Sequence, residues 1–120
     1  MLKVTEGNKN THHIELTSPR QESDEELFFA ALDEILNLDN FKIILEVRGE
    51  KSFSPEAKRR LGIWFKENKG KLKERCQGLI RVSENAKAKE RLSARALSLA
   101  MPCPYRVFDN LKEAQKWCQS

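Results

Sequence analysis

The chain has 120 residues, of which 39% are hydrophobic and 33% charged, and its formal net charge is +4. That is the length of one domain, with enough apolar residues for one core and too many for a disordered chain. No apolar run approaches the roughly 18 residues needed to span a bilayer, and MLKVTEGNKNTHH lacks the apolar stretch of a secretory signal.

Leu2 and Val4 alternate with polar residues, Glu6 to Asn10 reads as a turn, and His12, Ile14 and Leu16 alternate again. This pattern predicts an N-terminal hairpin or edge strand. Ser18-Pro19 interrupts it. Ser23 stands three residues before Glu26, the spacing of a capping box, and Leu27, Phe28, Ala31, Leu32, Ile35 and Leu36 follow as one helical stripe ending at Leu38-Asp39-Asn40. Phe41 to Val47 is nearly continuous apolar sequence, the mark of a central strand covered on both faces. Ser54-Pro55-Glu56 starts a helix with a hydroxyl cap, a first-turn proline and an acid. Its stripe is Ala57, Leu61, Trp64, Phe65 and Leu72, with Gly70 as the expected interruption or end. Gly78 to Val82 is the next strand. A cap at Ser83–Asn85 then leads to Ala88, Leu92, Ala96, Leu99 and Ala100 on one helix face, and Pro102 and Pro104 stop that helix. Tyr105 to Phe108 is a last strand. Asn110, with Glu113 in the reciprocal position, opens a closing helix with Leu111, Ala114, Trp117 and Cys118 inward. Alternation of strands and helices predicts an α/β fold with a mostly parallel sheet of four to five strands and four helices.

Tyr105 to Trp117, YRVFDNLKEAQKW, resembles the closing strand and helix of the SpoIIAA-like proteins of the STAS/Sec14-like group. FKIILEVRGEKSFSPEA, Phe41 to Ala57, is similar to the group's central strand and following helix start, and Gly78 to Met101 to its next strand and helix. Together these segments cover roughly two thirds of the chain. The resemblance implies a β-α superhelix with strands in sequential order over residues 1–120. The wider group includes phosphorylation-controlled regulators of sigma-factor partners, cytoplasmic domains of anion transporters and lipid carriers. Its anti-sigma antagonists phosphorylate a serine in an Asp-Ser-Ser/Ala-Gly loop; the matching stretch here, Gly49 to Pro55, has serines without that pattern.

Candidate sites follow from the residues. Ser52 and Ser54 lie where a phosphate would meet a helix N-terminus, so Glu50, Lys51, Ser52 and Ser54 form a candidate regulatory loop. Capping is the simpler use of Ser54. The charge is unevenly placed: residues 1–57 hold six basic and twelve acidic residues, and 58–95 hold thirteen basic and four acidic. Lys66, Lys69, Lys71, Lys73 and Arg75 are a candidate anion-binding segment, continued by Arg81, Lys87, Lys89, Arg91 and Arg95, although a basic run is more often a solvated helix exterior. His12 and His13 are adjacent on a strand and point to opposite faces, so they do not share a metal ion. Glu25-Glu26 and Asp33-Glu34 fall on an expected exposed helix face.

Cys76, Cys103 and Cys118 are odd in number and lack CxxC spacing, which fits reduced thiols and a cytoplasmic location. No glycine-rich phosphate loop, nucleophile–base pair or zinc set is present in the sequence. We therefore expect no catalytic residues, metal or cofactor, and a regulatory or protein-interaction module with an unidentified protein partner. The first alternative is a carrier of a lipid or small apolar ligand. A weak binder of nucleic acid or anionic membrane through residues 58–95 comes second, and nucleic acid is not expected as the main partner. Pairing of the N-terminal edge strand would allow a homodimer.

Overall fold

The computed structural model of the chain describes residues 1–17, 22–48, 54–83 and 99–119. They form one five-stranded sheet whose spatial order, β1-β2-β3-β4-β5, repeats the chain order. β1 (Leu2–Glu6) pairs antiparallel with β2 (Thr11–Leu16); β3 (Phe41–Val47), β4 (Cys76–Val82) and β5 (Tyr105–Phe108) add successively in parallel. The helices among the described residues are α1 (Asp24–Leu36), α2 (Pro55–Glu67), α3 (Lys69–Arg75) and α4 (Leu111–Gln119). This is the expected α/β arrangement, hairpin included. The hairpin turn is broader than a two-residue loop: Gly7 N–H donates to Thr11 O at 2.7 Å, and Lys9 and Asn10 both sit at a φ of 55°.

Parallel connections cross a sheet with one hand, so α1, α2 and α3 share a face. Phe28, Leu32, Ile35 and Leu36 of α1, Leu61 and Trp64 of α2 and Leu72 of α3 pack there on Ile14, Leu16, Phe41, Ile43, Leu45 and Leu79. Each such side chain, fully buried, contributes about 1.5–3 kcal/mol. On the opposite face α4 packs Ala114 and Cys118 on Ile44, Ile80 and Val82, with Phe108, Leu111 and Trp117 at the margin. Gly78 makes that approach close, since a Cβ built there would lie 3.0 Å from the Trp117 ring.

Several local expectations need correction. Ser23 does not cap α1: its backbone is already helical (φ −79°, ψ −8°), whereas a capping side chain needs extended backbone to reach back. The stripe of α1 is rotated from the expected one, so that Phe29 is buried and Leu27 is exposed. The break before α3 falls at Asn68, whose side-chain amide and backbone N–H both donate to Trp64 O, and not at Gly70. β4 begins at Cys76, with an irregularity against Phe41 and Lys42 that leaves Gln77 out of register. By contrast, the closing helix starts as expected, Asn110 Oδ1 accepting the Glu113 N–H at 2.9 Å. The helix expected after Ser83 lies outside the described residues except at its end, where Leu99 is helical and 74% exposed rather than inward.

Candidate functional site

Two places hold the chemistry-bearing side chains: the seam between α1 and α2, and the polar half of the face beneath α4.

Ser54 precedes α2 in extended backbone (φ −60°, ψ 156°), and its Oγ accepts the Ala57 N–H at 3.1 Å. Glu25 of α1 holds it from the other side, accepting from Ser54 N–H and from Ser54 Oγ–H at 3.0 Å each. A phosphoryl group on Ser54 would lose the cap and face a carboxylate, which disfavours Ser54 as a switch. Glu50, Lys51 and Ser52 lie outside the described residues. Further along the seam Arg60 pairs with Glu26 at 2.5 Å and lies over the Phe29 ring, and Trp64 Nε1–H donates to Asp33 at 2.8 Å. Glu26, Asp33 and Glu34 are exposed as expected and Glu25 is half-buried, and Glu25, Glu26 and Asp33 also reach partners on or before the second helix. Periodicity could not reveal this, because the partners lie on another helix.

The basic segment does not form one stripe. Lys66 is exposed on α2, and on α3 Lys69 and Lys73 lie one turn apart on one flank of the buried Leu72. Lys71 and Arg75 are one turn apart on the other flank. Arg75 is half-buried and donates to Leu36 O at the end of α1, a structural task at a helix C-terminus. Lys87, Lys89, Arg91 and Arg95 lie outside the described residues.

Beneath α4 the register brings Thr11, His13 and Glu15 of β2 beside Lys42, Ile44 and Glu46 of β3. Glu46 is only 2% exposed, an anion in the central strand near its C-terminal end. His13 Nε2 lies 3.0 Å from its Oε1, and Arg48 donates Nε–H and Nη2–H to its Oε2 at 2.7 and 2.6 Å. A buried carboxylate is tolerable only with such partners. The sequence offered a faint signal, one acid within the apolar run IILEV, but not its partners. The two histidines do face opposite sides: His12 is buried toward α1–α3, and its Nε2 has no hydrogen-bond partner among the described residues.

A Glu15 oxygen joins His13 and Glu46 in a group of metal-ligand atoms within 4.8 Å of one another. Both Glu46 oxygens already have cationic or hydrogen-bonding partners, and a divalent ion would have to enter beside the Arg48 guanidinium. The set fits a carboxylate held by Arg48 and His13 better than a metal centre. Next to it, a cavity of about 70 Å³ is lined by Thr5, Gly7, Thr11, His13, Ile44, Gln115, Cys118 and Gln119. It has room for roughly two water molecules, enough to satisfy the buried Thr11 hydroxyl but far too little for an acyl chain. Burial pushes the Cys118 thiol up in pKa, partly opposed by Lys42, so this thiol is a poor nucleophile. The Lys42 ammonium donates to Cys118 O and lies 5.9 Å from the Trp117 ring centre.

No helix of the described residues is long and apolar enough to cross a membrane. No protein-family model matches the chain, and no curated protein matches it. Among solved structures, the chain is similar to an uncharacterized protein of the DUF3478 family, with a SpoIIAA-like fold, from Shewanella loihica. The two are 12% identical with a TM-score of 0.58, over 98% of this chain and 92% of that one. An Arthrobacter protein of unknown function aligns over 98% of both chains at 17% identity, with a TM-score of 0.29. The first likeness agrees with the sheet order and connections described above: the chain has the SpoIIAA-like fold.

Proposed function

We propose that this chain is a non-enzymatic recognition module that works by binding a protein partner through the outer face of α2. The observation that carries the reading is the surface formed by Arg59, Gly62, Ile63 and Lys66. These residues stand at helical intervals of three and four, so they form one stripe, and all four are exposed. Ile63 is an aliphatic side chain left 49% exposed between two cations. Gly62 sits in the helix interior, where glycine costs about 0.5–1 kcal/mol relative to alanine. Its own fold does not require it, because a Cβ there would meet nothing within 4 Å. A bare patch of helix backbone beside an apolar side chain, rimmed by positive charge, suits the close approach of a partner segment with an apolar contact and an acidic rim. Hydrogen bonds from Glu25 to Ser54 and from Trp64 to Asp33 help to fix the orientation of α2, which lowers the ordering cost of binding.

The test is proximity crosslinking followed by tagged purification from the native cell, for the natural chain and for Ile63→Asp and Gly62→Leu. Both variants alter an exposed position, and Gly62→Leu should fold at least as stably as the natural chain. The expected result is one protein recovered with the natural chain and at least roughly tenfold less with either variant, with unchanged circular dichroism. Equal recovery by all three chains would overturn the reading. So would recovery of lipid or nucleic acid in place of protein, or of nothing specific.

A further inference from the structure

The α1–α3 face of the sheet ends, at the N-terminal edge of β4 and β5, in two free thiols. Leu79 N–H donates to Pro104 O at 2.8 Å, and Leu79 pairs with Tyr105, which brings the start of β4 beside the Cys103 turn. The irregularity at Gln77 keeps Cys76 on the same side as Leu79, within the large core cluster. Cys103 packs against that same cluster from between Pro102 and Pro104. The two side chains meet there, near enough for each thiol to perturb the other, and the Cys76 S–H donates to Gly78 O at 3.4 Å.

We propose that Cys76 and Cys103 form a redox modification site, a dithiol that closes to a disulfide on exposure to a hydroperoxide. The asymmetry between the two sulfurs suits this. The neighbouring Cys103 thiol holds the Cys76 thiol below its ordinary pKa despite burial, while the Cys76 neighbour and burial push Cys103 up. Cys76 is thus the thiolate and Cys103 the resolving thiol. The Cys76 thiolate attacks a peroxide oxygen, the O–O bond breaks, and Cys76 sulfenic acid and hydroxide (or alkoxide) form. Cys103 sulfur then attacks the sulfenic sulfur. The S–S bond forms as the S–O bond breaks, and the departing hydroxide takes the Cys103 proton as water. Two thiols lose two electrons and two protons in all, and hydrogen peroxide becomes two waters. Cys118 takes no part, since it belongs to α4 on the other face of the sheet.

The consequence is mechanical. β5 pairs only with β4 among the described strands, so the new bond would fasten the turn before this edge strand to the sheet.

The test treats the folded, reduced full chain with hydrogen peroxide, and with the same reagent in concentrated urea, then blocks remaining thiols by alkylation. The expected result is loss of two of the three alkylatable thiols in the folded chain. The intact mass should fall by two hydrogens (~2 Da), a Cys76–Cys103 crosslinked peptide should appear, and reductant should reverse the change. Closure should be at least roughly tenfold slower in urea, where the chain no longer holds the sulfurs together. In Cys103→Ser, Cys76 should stop at a sulfenic acid that a dimedone-type reagent traps, and Cys118→Ser should close as the natural chain does. A crosslink through Cys118, closure no faster in the folded chain than in urea, or retention of all three thiols would overturn the proposal.

Discussion

The two faces of one sheet are built by different rules. Among the described residues, the α1–α3 face receives α1 from one crossover and α2 with α3 from the next, and nearly every inward position is a large aliphatic or aromatic residue. On the other face the described residues place the nine-residue α4 against the β4 side of the sheet, with a core of five buried residues. Beyond it, β2 and β3 keep His13, Glu15, Lys42 and Glu46. Both faces are buried there, Glu46 to 2% exposure, but the second buries charge as well as apolar surface, and a buried carboxylate needs the His13 and Arg48 partners that an aliphatic side chain does not.

That comparison can be broken most forcefully at Phe28, 1% exposed in the larger core. Phe28→Ala should lower the free energy of unfolding by about 3–5 kcal/mol, read as the shift in a urea midpoint at unchanged slope. A loss below about 1 kcal/mol would mean that the core on this face collapses around the gap or never packed as described.

Glu46→Ala probes the face that buries charge. The change opens a small gap and strips His13 and Arg48 of their shared acceptor, but Arg48 is half exposed and can hydrate. The expected cost is therefore about 1–3 kcal/mol, smaller than at Phe28. If Glu46→Ala proves the costlier of the two, the ionic cluster rather than the apolar core organises the sheet.

The smallest effects come from two glycines and should have opposite signs. Gly78→Ala pushes a methyl against Trp117 and should destabilise by about 1 kcal/mol, while Gly62→Ala on the open face of α2 should stabilise by about 0.5–1 kcal/mol. Thermal unfolding of both variants measures this, and equal shifts would mean that α4 does not seat over Gly78 as closely as described.

Much of this molecule was legible in its sequence because local chemistry marks local structure. Ser54-Pro55-Glu56 starts a helix because a hydroxyl can cap and a proline can begin one. Asn110 and Glu113 mark the start of α4 in the same way. The run from Phe41 to Val47 must be a covered strand because nothing else hides so many aliphatics in seven residues. Sequential alternation of such elements then leaves few topologies.

Tertiary structure decided the rest, wherever a side chain's meaning depends on a partner far along the chain. Glu25, Glu26 and Asp33 read as a solvated face until α2 brings Ser54, Arg60 and Trp64 against them. Ser23 has the right spacing for a cap, but its helical backbone cannot make one. Glu46 became a buried ion only through the register that sets β2 beside β3. Cys76 and Cys103 became a pair only through the register of β5 on β4. Caps and periodicities act within about a turn or a strand pair of their own residue, whereas ion pairs and thiol contacts depend on distances that only the folded sheet defines.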